Sequence, residues 1–138
     1  SEPFTSIMKV ITDMDFEAAP RGGITDGKIV CMDRVIQVWK MHGENGLKWI
    51  LRTIRECGWQ YAQQGCSAAV VSALATVYGK NVRRADEART ALVKALGGTN
   101  PMVIVAKAVA ENPNLYRSSG AVLRAVMTKC VRDALDEA

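Results

Sequence analysis

Cys31, Cys57, Cys66, Cys130 and the single histidine, His42, are the side chains here best able to hold a metal or attack a substrate. A zinc site draws its ligands as close pairs such as Cys-x-x-Cys. These four are spread along the chain with no such pair, so no metal ligand is expected. A reactive thiol wants an exposed, electropositive setting. Cys57 follows Arg55 but lies at the end of an apolar helical pattern, where a thiol serves as a small hydrophobe. SEPFTSIMKV lacks the features of a secretory leader, so reduced thiols and a cytoplasmic location are expected. His42 precedes Gly43 at an expected helix end, where it would meet the last carbonyls rather than catalyse. GGITDGK, residues 22–28, has glycines and a lysine. It lacks the Ser/Thr and the strand-to-helix setting of a phosphate loop, and reads as a turn. Asp13, Asp15, Asp26 and Asp33 read as caps and solvated charges. Neither a catalytic residue nor a cofactor is expected, and the chain reads as non-enzymatic.

What chemistry remains is charge. The 138 residues hold 18 Lys and Arg against 14 Asp and Glu, a net +4. Residues 1–69 carry eight of each sign, and 70–138 carry ten and six, which is the whole excess. From 80 to 132, ten basic residues meet three acidic ones, a local +7. A basic half invites an anionic partner, nucleic acid first. LATVYGKNVRRADEART, residues 74–90, has the outline of a helix-turn-helix: an apolar helix, a glycine, then a helix bearing arginines. Lys80 at a normally apolar turn position, and the small Ala85 and Ala88, depart from that motif. The expected nucleic-acid contacts are Lys80, Arg83, Arg84 and Arg89, with Arg117, Arg124 and Lys129 further on. Asp86 and Glu87 lie among them and blunt the field.

The elements that must carry these residues are helices. In LKWILRTIRECGW, residues 47–59, Leu47, Ile50, Leu51 and Ile54 fall on one helical face. Trp49 lies off that face between Lys48 and Arg52: either it packs under a neighbouring helix, or the three form a protein-contact surface with an aromatic anchor. Upstream, a short helix over 5–14 leads to a strand at 16–19, which pairs with 28–30 as a small ribbon across PRGGITDG. Met32, Val35, Ile36 and Trp39 mark a helix ending near Gly43. The short HGEN connection, with Asn45 as N-cap, predicts an antiparallel hairpin with the next helix. A helix over 66–78 presents Val70, Leu74, Val77 and Tyr78 and stops at Gly79. One over 85–96 presents Ala88 and Leu92, and Asn100-Pro101 starts another that runs to Glu111. The last, over 119–134, presents Val122, Ala125, Val126 and Cys130. The chain is 49% hydrophobic and 23% charged, a globular composition, and has no apolar run long enough to span a membrane. A single all-α domain over 1–138 is expected: a compact bundle of about six helices with an N-terminal helix and ribbon over 1–30. Short loops imply local contacts and fast folding.

The order MKVITDMDF, IVCMDRVIQVWKMHG, LKWILRTIRECGW, AAVVSALATVYG and ARTALVKAL resembles the helical C-terminal region of ParB-like proteins of phages and mobile elements. That region has no assigned function. ParB-like domains of this group carry an Asp-Gly-x-His-Arg motif, whereas Asp26-Gly27-Lys28 here is followed by no His-Arg, so no catalytic residue carries over. The resemblance implies a stand-alone accessory module that acts by binding. Nucleic acid is the first expected partner. A host or phage protein, or a second copy of the chain, is the alternative.

Overall fold

In a computed structural model of the chain, residues 2–19, 28–114 and 118–136 are described. Among them are α1 (Glu2–Asp13), β1 (Glu17–Ala19), β2 (Ile29–Cys31), α2 (Met32–Glu56), α3 (Ala68–Lys80), α4 (Ala85–Leu96), α5 (Pro101–Glu111) and α6 (Ser119–Asp136). A 3-10 turn, Val82–Arg84, joins α3 to α4. The expected all-α bundle with a small N-terminal element is thus what forms. The expected turn at 20–27 lies outside the described residues. The ribbon pairs in parallel, Glu17 with Ile29 and Ala19 with Cys31.

The centre of the bundle is the second half of α2. Leu47, Ile50, Leu51 and Ile54 are all fully buried, as their spacing requires. Thr53 is buried beside them and donates its hydroxyl to the Trp49 carbonyl, so the one polar side chain there is satisfied. α2 ends in a Schellman turn. Trp59 N–H donates to the Ile54 carbonyl and Gly58 N–H to the Arg55 carbonyl, with Gly58 at φ +75°. α1 ends the same way: Phe16 N–H donates to Ile11 and Asp15 N–H to Thr12, with Asp15 at φ +61°. Each turn folds an apolar residue back onto the helix it ends. Trp59 and Ile54, and Phe16 and Ile11, are all buried.

The run Met32–Glu56 is two helices that meet at Gly43, where the break is expected, with a connection shorter than HGEN. Gly43 alone leaves helical geometry, at φ +69° and ψ −166°, and the helix resumes at once. Glu44 and Asn45 are therefore helical, and Asn45 is not a cap. The close approach shows at Gly46, where a Cβ would lie 2.3 Å from His42 Cβ. Gly79 is likewise not a stop signal. It lies inside α3, which runs on to Lys80, and a Cβ there would meet the His42 imidazole at 3.0 Å. His42 is therefore a wedge between α2 and α3, edge-on to Tyr78 with ring centroids 5.4 Å apart, rather than a partner of helix-end carbonyls.

α3 packs on α2 and α6, and α4 and α5 pack on α6. α3 and α6 run in the same direction. Gly120 faces Ala69 near their starts, and Arg84, just past the end of α3, reaches the Leu135 carbonyl near the end of α6. The buried face of α6 is Val122, Leu123, Met127 and Val131, while Ala125 is exposed. The expected stripe was rotated by about a residue, because α6 is covered from two sides and its apolar arc is wider than one seam. Asn100 caps α5 as expected, its Oδ1 accepting from Met102 N–H at 2.8 Å, with Pro101 in the first turn.

Candidate nucleic-acid interface

The four clustered basic residues do not act as one group. Arg84 grips Glu87 at 2.6 Å in an exposed pair. Arg89 bridges Glu56 at 2.8 Å and Asp86 at 3.1 Å, and its side chain is only 14% exposed. It ties α4 to the end of α2. The acidic residues that blunt the field by sequence are thus the direct partners of two of the arginines. Arg83 and Lys80 are exposed, and among the described residues neither has a carboxylate partner. Lys129 pairs with Asp133 one turn along α6. Arg117 lies outside the described residues. As a helix-turn-helix the segment is poor: α4 begins with Asp86 and Glu87 exposed, where a recognition helix would meet phosphates.

Arg124 belongs to a different site. It lines a concavity of 240 Å³ between α2, α3 and α6, with Arg34, Gln37, His42, Ser72 and Thr76 among the polar groups and Val38, Met41 and Ala75 among the apolar ones. Arg34 donates to Gln37 Oε1 at 3.0 Å, which steadies both side chains at the rim. Thr76 donates to the Ser72 carbonyl at 3.2 Å. Among the described residues no carboxylate lines this concavity. His42 also touches Gly79, and Gly79 with Lys80 and Arg83 lines the next hollow along α3. The two hollows adjoin at His42 and Gly79 as one strip, with Arg34 and Arg124 at one end and Lys80, Arg83 and the Glu87-paired Arg84 at the other. From Ser72 to Lys80 it follows α3 for about 12 Å at the rise of an α-helix.

The sequence held half of this. Arg34, Gln37, Val38 and Met41 share one face of α2 by spacing, and Ser72, Ala75, Thr76 and Gly79 share one face of α3. Which two faces meet is a tertiary fact that neither spacing contains.

Trp49 is a core residue and not a surface anchor. It is 4% exposed, donates its indole N–H to the Ala85 carbonyl at 2.7 Å, and packs on Tyr78 with ring centroids 5.5 Å apart. The start of α4 covers it. Lys48, paired with Glu44 at 3.5 Å, and Arg52 do remain exposed.

A second polar cluster escaped the sequence reading. The Tyr61 hydroxyl donates to Asp15 Oδ2 at 2.9 Å, Lys28 Nζ sits 3.4 Å from Oδ1, and Gln60 donates its amide to the Asp15 carbonyl at 2.5 Å. The Tyr61 bond, and then the Lys28 charge, hold the Asp15 carboxyl below the usual range. The same bond raises the Tyr61 phenol. This cluster ties the α1 turn to the loop after α2 and is a fastening by its contacts. Cys31, Cys57 and Cys66 are buried and Cys130 is half-buried, and none of the four is joined in a disulfide. Among the described residues no three His, Cys, Asp or Glu side chains converge as a metal site would need. No single helix there is long and apolar enough to cross a membrane.

Neither a family model, nor a curated protein, nor a solved structure matches the chain.

Proposed function

We propose that this chain is a binding module for nucleic acid that docks the phosphate backbone along the strip from Arg34 and Arg124 to Lys80 and Arg83. The observation that carries this reading is the strip itself: two adjoining hollows where Arg34, Arg124, Lys80 and Arg83 have no carboxylate partner among the described residues, beside the Glu87-paired Arg84. Arg presents a planar fork that fits phosphate oxygens, and Lys adds a point charge. The strip replaces the expected cluster, since Arg84 and Arg89 serve carboxylates of the chain itself. The ParB-like resemblance, an accessory module acting by binding and not by catalysis, accords with it.

The test is fluorescence anisotropy with labelled oligonucleotides over a range of salt. Affinity should fall steeply with salt. Arg83→Ala and Arg124→Ala should each flatten the slope of log affinity against log salt by about one unit per lost phosphate contact. Arg89→Lys, which keeps the charge but breaks a forked internal pair, should leave the slope unchanged. Absence of binding at low salt sinks the reading.

One observation favours a protein partner instead. α5 buries only Pro101 and Ile104, and Val103 is 55% exposed on a helix whose only charged residues are Lys107 and Glu111. If α5 is an interface, Val103→Lys abolishes partner binding or self-association in light scattering and leaves oligonucleotide binding intact.

A further inference from the structure

We infer that the concavity between α2, α3 and α6 receives an unpaired base, so that the module takes single-stranded nucleic acid in preference to duplex. This rests on the nucleic-acid reading above and adds the class of strand. The concavity holds 240 Å³, below the ~300 Å³ at which pockets for drug-sized ligands begin. That space suits one planar heterocycle. Its walls are mixed in the way a base needs. Val38, Met41 and Ala75 offer apolar contact to a ring face, and a Met thioether is favourable against an aromatic ring. Met41 is 76% exposed, at the lip where an incoming base would slide beneath it. Ser72, Thr76, His42 and Gln37 can meet the heteroatoms of a base edge. The Gln37 amide is already oriented, since its oxygen accepts from Arg34 and its NH2 is left to donate.

Arg34 from α2 and Arg124 from α6 line the same hollow. They can hold the phosphates that flank an inserted base. A duplex offers no such fit. Its bases are stacked and paired, and it is read by convex elements entering a groove, whereas this site is itself a cleft. Concave, basic clefts with faces for splayed bases are the mode of single-strand recognition. A free mononucleotide would use the cleft alone and leave Lys80 and Arg83 idle. The continuation of the strip past His42 and Gly79 therefore favours a strand.

The experiment compares four probes on the whole chain by anisotropy and competition at one salt concentration: a DNA strand, the same strand with abasic sites, its duplex, and a mononucleotide. The intact strand should bind about tenfold tighter than the duplex and the abasic strand, and the mononucleotide should compete only weakly. Met41→Ala should weaken the intact strand several-fold and leave the abasic strand unchanged. Arg124→Ala should weaken both. Thermal melts of each variant, matched to the parent, keep misfolding from mimicking these losses. Equal binding of intact and abasic strands overturns the inference while the nucleic-acid reading stands. A mononucleotide that competes as well as the strand overturns the strand assignment. Binding of no probe at low salt overturns both.

Discussion

Burial pushes the Cys57 thiol up to about 12, with the neighbouring Glu56 charge adding to it. The thiolate is the reactive form, so Cys57 should be inert at neutral pH. We expect native protein treated with a maleimide near pH 7.5 to react first at half-buried Cys130 and to leave Cys31, Cys57 and Cys66 largely unlabelled. In denaturant all four should label, as mass spectrometry would count. Rapid native labelling of Cys57 would mean the end of α2 opens readily. Asp15 and Tyr61 act through their mutual bond. Asp15 is lowered on folding, so its contribution is present above the ordinary carboxylate range and is lost as pH falls through its folded value. Tyr61 is raised, so its contribution is present at neutral pH and is lost as pH rises through its folded value. Asp15→Asn should therefore lower the pH of Tyr61 ionisation toward that of a free phenol, read by tyrosine absorbance against Tyr61→Phe. An unchanged titration would mean that the bond is not held in solution.

At the scale of elements, the bend in α2 is set by two glycines with different reasons. Gly43 supplies φ +69° with ψ −166°, a region essentially open only to glycine that costs a side-chain-bearing residue about 1–3 kcal/mol. Gly46 supplies room, since a Cβ there would overlap His42 Cβ. Gly46→Ala should thus destabilise, and His42→Gly, which removes the overlapped Cβ, should relieve part of that loss in the double variant, a coupling that urea melts of the four proteins would measure. Additive losses would refute the wedge. Leu51→Ala, in the middle of the buried stripe, should cost about 2–5 kcal/mol, and a much smaller loss would mean the stripe is not packed. The elements also show what the sequence could say. The Leu47/Ile50/Leu51/Ile54 stripe and the Asn100-Pro101 start are local signals, and both held. Gly79 as a stop, and Trp49 as an anchor rather than a packed residue, do not hold, because their reasons are not local. A glycine that admits an imidazole looks like one that ends a helix, and a tryptophan off one face looks exposed until α4 is placed over it. The basic strip failed to show for the same reason: its residues come from three helices that only packing brings together.

For the whole molecule, the parallel run of α3 and α6 changes the expected folding. The broad contact between them joins a helix starting at Ala68 to one starting at Ser119, with α4 and α5 in between. Contacts so far apart in sequence pay loop-closure entropy before they form, so folding should be slower than for a bundle of sequential hairpins. The order of assembly also bears on the concavity between α2, α3 and α6, whose walls come from both ends of that pairing. Its residues Arg34 and Arg124 can face each other only once α6 is seated. The turn at Gly97-Gly98-Thr99 is where a protease would be expected to cut, being exposed, small and rich in glycine. Yet Gly98 N–H donates to the Cys57 carbonyl at 2.8 Å, and the Trp59 indole donates to the Thr99 carbonyl at 2.7 Å. To enter a protease cleft this turn must first be peeled off the end of α2, uncovering buried Trp59. Nicking there should track the opening of the core, which makes a glycine turn on the surface a gauge of how often the interior comes apart.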